Sequence, residues 1–183
     1  MKTLCLNLFG GPGTGKSTTA AGVFAHLKWM GVNCEMALEY AKDCVWDKSR
    51  NLLDNQIFIF GQQHHRIWRL LGQVDVIISD SPLLHSIIYD SSSNPHFAPM
   101  VLAEHKKLLN LNIFLQREKP YQQIGRLHSE EQAREIDSRT IDLLEHVEEE
   151  FLTFPANENS IPLIAEVALE TWREANPERN EPT

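Results

Sequence analysis

The chain has 183 residues, of which 42% are hydrophobic and 23% charged, with 9 Gly and 9 Pro. That is the size of one domain with enough apolar side chains to bury a core, and it excludes disordered, collagenous and fibrous classes. A formal net charge of −8 opposes broad attraction to nucleic acid, which is driven by neutralising phosphates, and leaves only a local basic groove open to it. No apolar run approaches the roughly 18 residues of a membrane span. The start MKTLCLNLFGG has a short apolar run that ends in glycines instead of a small-residue cleavage site, so it reads as a first strand and not a signal peptide. The expected location is the cytoplasm, that of the host if a phage encodes the chain. Cys5, Cys34 and Cys44 fall in or beside apolar runs without C-x-x-C spacing, which predicts buried thiols and no zinc.

Residues 3–9 form an apolar run that breaks at Gly10, and residues 17–30 then carry apolar side chains at helical spacing, a strand, a glycine turn and a helix. A second strand is expected over 32–38, a short helix over 39–48, and a longer helix over 54–71 with Asp54 as N-cap. Gly31 and Gly72 stand where helix ends favour glycine. The β-branched segment VDVIIS at 74–79 and LNIFL at 111–115 read as strands buried on both faces. Between them lie helical patterns at 83–90 and 97–109, split by SSSNP at 91–95. Ile136, Ile141, Leu144, Val147 and Phe151 mark one face of a long helix over 130–151, and a last strand near 151–154 precedes a helix capped by Ser160 with Pro162 in its first turn. The tail 176–183 is expected to fray. Strands alternating with helices predict an α/β domain spanning 1–183, with five mostly parallel strands covered by helices on both faces.

Gly10 to Ser17 reads GGPGTGKS, a full match to G-x-x-x-x-G-K-[ST] placed between a strand and a helix, the context in which that motif cradles phosphates. Gly10, Gly11, Pro12, Gly13, Thr14 and Gly15 would wrap backbone N–H groups around phosphate oxygens at a helix N-terminus. Lys16 would reach the β- and γ-phosphates of ATP, Ser17 would give its hydroxyl to Mg²⁺, and Thr18 would face the α-phosphate. Nucleotide binding alone does not fix an activity. A GTPase switch should carry an N/T-K-x-D motif, and the sequence has none. A mechanical ATPase usually places Glu after the Asp that ends its Walker B strand, whereas here Ser81 follows Asp80. Transfer to a bound acceptor is therefore favoured, with a switch or motor ATPase and a nucleotide-binding regulatory module as the competing readings.

Ligands in such a fold sit beyond the carboxyl ends of the strands. Glu39 follows the second strand and Asp80 ends the third. Asp80 is assigned to Mg²⁺, directly or through water, and Glu39 to accepting the acceptor's hydroxyl proton, although the roles can be exchanged. Gln62, Gln63 and Arg66 form a polar stretch between apolar flanks that suits an acceptor pocket, with a solvent-facing helix surface as the bland alternative. Arg117, Arg126 and Arg134 fall in a segment of about 117–135 that suits an arginine-bearing lid; Arg126 is the candidate for balancing charge in transfer and Arg117 for contacting the nucleotide. Trp46, Trp68 and Tyr89 are candidates for stacking on a base, core burial being the commoner role for such residues.

Taken together, GGPGTGKST, ALEYAKD, QIFIFGQQHHR, ISDSPLLHS and PYQQIGR with AREID resemble the small P-loop kinases related to the ribosylnicotinamide kinase domain of the bacterial NAD-biosynthesis regulator, and more closely the phage kinases of that group. The resemblance runs from about residue 3 to residue 152 and departs from the ribosylnicotinamide kinase domain at Asp80-Ser81-Pro82. It implies a nucleoside or nucleotide kinase-like P-loop NTPase fold and transfer of the γ-phosphoryl group of ATP to a hydroxyl of a nucleoside-like acceptor. Some phage kinases of this type act on the hydroxymethyl group of 5-hydroxymethyluracil in DNA, which makes modified DNA the acceptor this resemblance favours. Lys106, Lys107, Arg117, Lys119, Arg126, Arg134 and Arg139 would then have to line one face.

Overall fold

Residues Leu4–Phe9 (β1) are buried along their whole length, and their period-two alternation feeds two separate apolar layers. Leu4, Leu6 and Leu8 enter one cluster, while Cys5 and Phe9 enter another. Such burial on both faces demands a strand at the centre of a covered sheet. In the computed structural model, which describes residues 2–122 and 128–179, β1 lies in the middle of five strands. The others are β2 (Cys34–Ala37), β3 (Val76–Ser79), β4 (Leu109–Gln116) and β5 (Leu152–Pro155), in the order β2-β3-β1-β4-β5. Every pairing is parallel.

Helices α1 (Lys16–Trp29) and α7 (Ser160–Ala175) cover one face, where Val23, Leu27, Ile164 and the fully buried Trp172 pack on the β1 leucines. The opposite face is covered by α3 (Gln56–Trp68), α4 (His85–Tyr89), α5 (Phe97–His105) and α6 (Glu130–His146), through Phe60, Leu84, Phe97 and Leu144. A short helix, α2 (Tyr40–Trp46), follows β2 directly. All three cysteines are buried and free, as expected; burial pushes the Cys5 thiol up to about 12 and Cys34 to about 11. No described helix is long and apolar enough to cross a membrane.

Several boundaries differ from the expected ones, each for a local reason. The cap of α3 is Asn55, whose side chain accepts from Phe58 N–H at 3.2 Å, so the helix begins one residue later than an Asp54 cap requires. Helix α5 stops at His105 because Leu109 is already paired with Leu4 in the sheet. Helix α6 stops at His146, and Glu148 adopts a left-handed φ of 57° before β5. Residue 160 is the first residue of α7 and not its cap; Asn157 Oδ1 accepts from the Asn159 and Ser160 N–H groups. The start of the expected fraying tail is tied down: Asn176 exchanges two hydrogen bonds with the Lys2 backbone, at 2.8 and 3.1 Å. Trp46 and Trp68 are not core residues, being 63% and 60% exposed.

Candidate active site

The parallel strands place all their carboxyl ends on one edge, and the chain leaving β1 there forms the glycine-rich loop. Gly13 and Gly15 have φ of 75° and 118°, the left-handed region that costs a side chain dearly, and these turns let the loop curl into an anion nest at the start of α1. Thr14 points into the protein and its hydroxyl donates to Gly11 O at 2.7 Å. Lys16 is folded back on the loop, its Nζ donating to Gly10 O at 2.6 Å and Gly11 O at 3.0 Å. Burial lowers the Lys16 pKa, opposed by the negative fields of Glu39, Asp80 and Asp137.

A cavity of about 460 Å³ opens from the loop. Pro12, Gly13, Gly15, Lys16, Ser17 and Thr18 form one wall; Glu39, Trp46, Gln56, Gln63, Ser81, His85 and Tyr89 contribute to the other. Ser81, His85 and Tyr89 recur every four residues, which keeps them on one side of the turn and helix that follow β3. His85 is 5% exposed, packs edge-on against Phe9 with ring centroids 5.2 Å apart, and has a buried Nε2 without a hydrogen-bond partner. Burial, reinforced by the Lys16 charge, holds its pKa well below the usual imidazole value, so the ring is neutral.

The turn that carries Glu39 is braced from two elements. Asp80, 2% exposed at the end of β3, accepts from Glu39 N–H at 2.8 Å. Gln63 on α3 accepts from Tyr40 N–H at 3.0 Å and donates to Ala37 O at 3.4 Å. Glu39 is thereby held at the cavity wall, and its own carboxyl pKa is raised by burial, with Lys16 pulling the other way. Asp80 stands behind this turn and does not line the cavity.

The remaining expected residues divide. Gln62 and Arg66 do not line this cavity; with Met36, Leu38, His65 and Arg69 they line a separate shallow groove. Arg66 donates to Leu38 O at 2.8 Å, pairs with Asp43 and lies 5.2 Å over the Tyr40 ring. At about 100° per residue Gln62 and Arg66 lie within about 40° of each other, while Gln63 lies about 100° from Gln62 and about 60° from Arg66 and turns toward the cavity. Gly10, Gly11 and Thr14 shape the loop from behind, and Arg117 is buried against Thr14 and Asp137 without lining the cavity. Arg126 lies outside the described residues. Of the basic residues that a polymeric acceptor would need on one face, Arg134 is paired to Glu130, Lys107 to Glu104, and Arg139 bonded to Ile88 O. Of the stacking candidates, Trp46 and Tyr89 line the cavity and Trp68 does not; sequence reasoning missed His85, Gln56 and Asp137, and for His85 its spacing by four from Tyr89 was an available signal.

The family described as an AAA domain, AAA_28, matches residues 5–160. No curated protein matches the chain. Among solved structures, thymidylate kinase from Ehrlichia chaffeensis superposes with a TM-score of 0.56 at 13% identity, covering 93% of this chain and 98% of that one. Deoxyadenosine kinase from M. mycoides gives a TM-score of 0.49 at 14% identity, covering 93% and 99%. At such identity the first of these likenesses is one of fold, the α/β P-loop fold that the glycine loop and the alternating strands and helices led us to expect. The family match spans the loop, the cavity walls and all five strands, and the chain belongs to this AAA domain family.

Proposed function

We propose that the chain is an ATP-dependent phosphotransferase that moves the γ-phosphoryl group to a hydroxyl of a nucleoside-like acceptor. The observation that carries this reading is that Lys16 and Glu39 border one cavity, which continues away from the phosphate loop between α2, α3 and α4 with room for a second small molecule. In the proposed reaction Lys16 leaves its loop carbonyls for the β- and γ-phosphate oxygens and offsets charge that builds in the transition state. The acceptor oxygen bonds to the γ-phosphorus, the bond from that phosphorus to the bridging oxygen breaks, and ADP departs. Glu39 takes the acceptor's hydroxyl proton; its raised pKa brings its basicity closer to that task. Asp80 fixes the backbone from which Glu39 projects. Trp46, Tyr89 and His85 supply apolar and aromatic surface for a base and an imidazole for its polar edge.

Ser17 and Asp80 fit Mg²⁺ by donor type, both offering hard oxygens, and would hold the ion, Asp80 directly or through water. Among the described residues no group of three or more His, Cys, Asp or Glu side chains is arranged to hold a metal. An ion held at Ser17 and Asp80 would neutralise charge on the phosphates.

Hydrolysis is the weaker reading because Ser81 occupies the place of a water-activating carboxylate. Within the acceptor class, a free nucleoside or nucleotide fits a cavity of about 460 Å³ best. The hydroxymethyl group of 5-hydroxymethyluracil in DNA rests on the sequence resemblance, and the net charge of −8 and the acidic pairing of Arg134 and Lys107 do not favour it. The test is transfer of labelled γ-phosphate from ATP to nucleosides, ribosylnicotinamide, nucleoside monophosphates, ordinary DNA and DNA containing 5-hydroxymethyluracil. Label on a free nucleoside or nucleotide is expected. Label on the modified DNA alone would move the acceptor to a polymer, and phosphate release without a labelled acceptor would overturn the transferase.

A further inference from the structure

The motif G-x-x-x-x-G-K-[ST] asks for nothing in particular at its second position, yet this chain has Gly11 there. The reason lies on α6. A Cβ at Gly11 would stand 2.3 Å from Ala133 O and 2.9 Å from Asp137 Oδ1, so only glycine allows the helix to approach the loop so closely. At that contact Asp137 Oδ1 accepts from Gly11 N–H and lies 3.3 Å from Thr14 Oγ1. Its other oxygen accepts from Arg117 Nε at 3.2 Å and Nη2 at 3.0 Å, and the same Nη2 donates to Thr14 Oγ1 at 3.1 Å. Arg117 is nearly enclosed, its side chain 6% exposed, and its Nη1 is buried without a partner.

We propose that Asp137 is a positioning residue for the nucleoside triphosphate: it braces the phosphate loop through Gly11 and fixes Arg117 against Thr14, so that the loop is already set in its anion-binding shape. This rests on the reading of that loop as an ATP site. The carboxylate has two different tasks, one for each oxygen. One oxygen replaces water at a loop amide, and the other neutralises a guanidinium that has no other acidic partner among the described residues. A loop that is held before the nucleotide arrives loses less conformational freedom on binding, so the brace acts on affinity for the triphosphate and not on the acceptor.

The variant that separates these tasks is Asp137→Asn. Its amide oxygen still accepts from Gly11 N–H, but its amide NH₂ meets the Arg117 donors. The dissociation constant for the Mg²⁺ complex of a non-hydrolysable ATP analogue, read by calorimetry, is expected to rise at least about fivefold. The KM for the acceptor is expected to stay within roughly twofold, as it should when uniform binding of the other substrate is untouched. A smaller rise in the dissociation constant overturns the proposal. Because Asp137→Asn leaves Arg117 buried and unpaired, the double variant Asp137→Asn with Arg117→Gln removes both charges. Recovery of the wild-type melting temperature without recovery of analogue affinity is the expected result. Recovery of both would reduce Asp137 to a structural partner of Arg117 and overturn the proposal. Wild-type protein that binds no analogue is a separate result, one that refutes the ATP site itself.

Discussion

The two walls of the cavity are built in opposite ways. The phosphate wall is a run of consecutive residues, Pro12 to Thr18, whose shape comes from backbone turns at glycines and whose chemistry comes largely from N–H groups. The facing wall is assembled from side chains on separate stretches of chain, with Glu39, Gln63 and His85 brought together by the sheet and the helices over it and the Glu39 turn braced from behind by Asp80. A wall of the first kind takes its shape from local sequence, with one distant brace where Asp137 meets Gly11. A wall of the second kind depends on packing, so its members are linked and its specificity can change while the first wall stays the same.

That contrast can be broken most severely at Lys16, the one side chain of the loop asked to meet developing charge. Lys16→Ala should lower transfer by on the order of 10³-fold or more with an unchanged circular dichroism spectrum. Transfer at near wild-type rate would remove the loop from the chemistry. On the facing wall, Glu39→Gln should retain nucleotide binding and lower kcat by about 10²–10³-fold, the span of a positioned base. The wild-type rate should fall on the acid side along a limb lying above the ordinary carboxylate range, because burial raises the Glu39 pKa, and the variant should lack that limb.

The same shift has a stability consequence. A carboxyl whose folded pKa is raised contributes stability that is present below its unfolded pKa and is lost as pH rises through the folded value. Glu39→Gln, which mimics the protonated acid, should therefore melt higher than wild type at pH 7 and lose that advantage at pH values below the ordinary carboxylate range; melting curves across pH decide it. Asp80→Asn should raise the Mg²⁺ concentration for half-maximal rate by about 10–100-fold, the usual effect of disturbing a group that orients a metal's shell. The smallest effect is expected at His85→Phe, which keeps the packing on Phe9 and removes the ring nitrogens: acceptor KM should rise roughly tenfold with analogue affinity unchanged. A loss of analogue affinity instead would assign His85 to the phosphate wall.

The central strands were legible because short, mostly apolar runs such as LCLNLF and VIIS suit the interior of a covered parallel sheet. The loop was legible because its residues are contiguous. Glu39 was legible from its place after a strand end, as was Asp80, although its recessed position behind the Glu39 turn depends on a contact between β3 and the turn after β2. The choice among Gln62, Gln63 and Arg66 was not legible, since all three sit on one helix and only its rotation against β2 decides that Gln63 faces the cavity. The Asp54 and Asn55 pair shows the same limit on a smaller scale: both are good caps, and the first hydrogen bond selects one. Asp137 was beyond reach because its partner Gly11 lies 126 residues away and the motif leaves that position open.

The central claim is that this cavity hands the γ-phosphoryl group to a bound hydroxyl and not to water. The most direct measurement is a single turnover of γ-labelled ATP on excess enzyme with an acceptor from the panel, partitioning label between acceptor and inorganic phosphate, for wild type and Glu39→Gln. The account predicts label almost wholly on the acceptor in wild type and a slow turnover with the same partition in the variant. Label released as inorganic phosphate at the same rate with or without acceptor would contradict it.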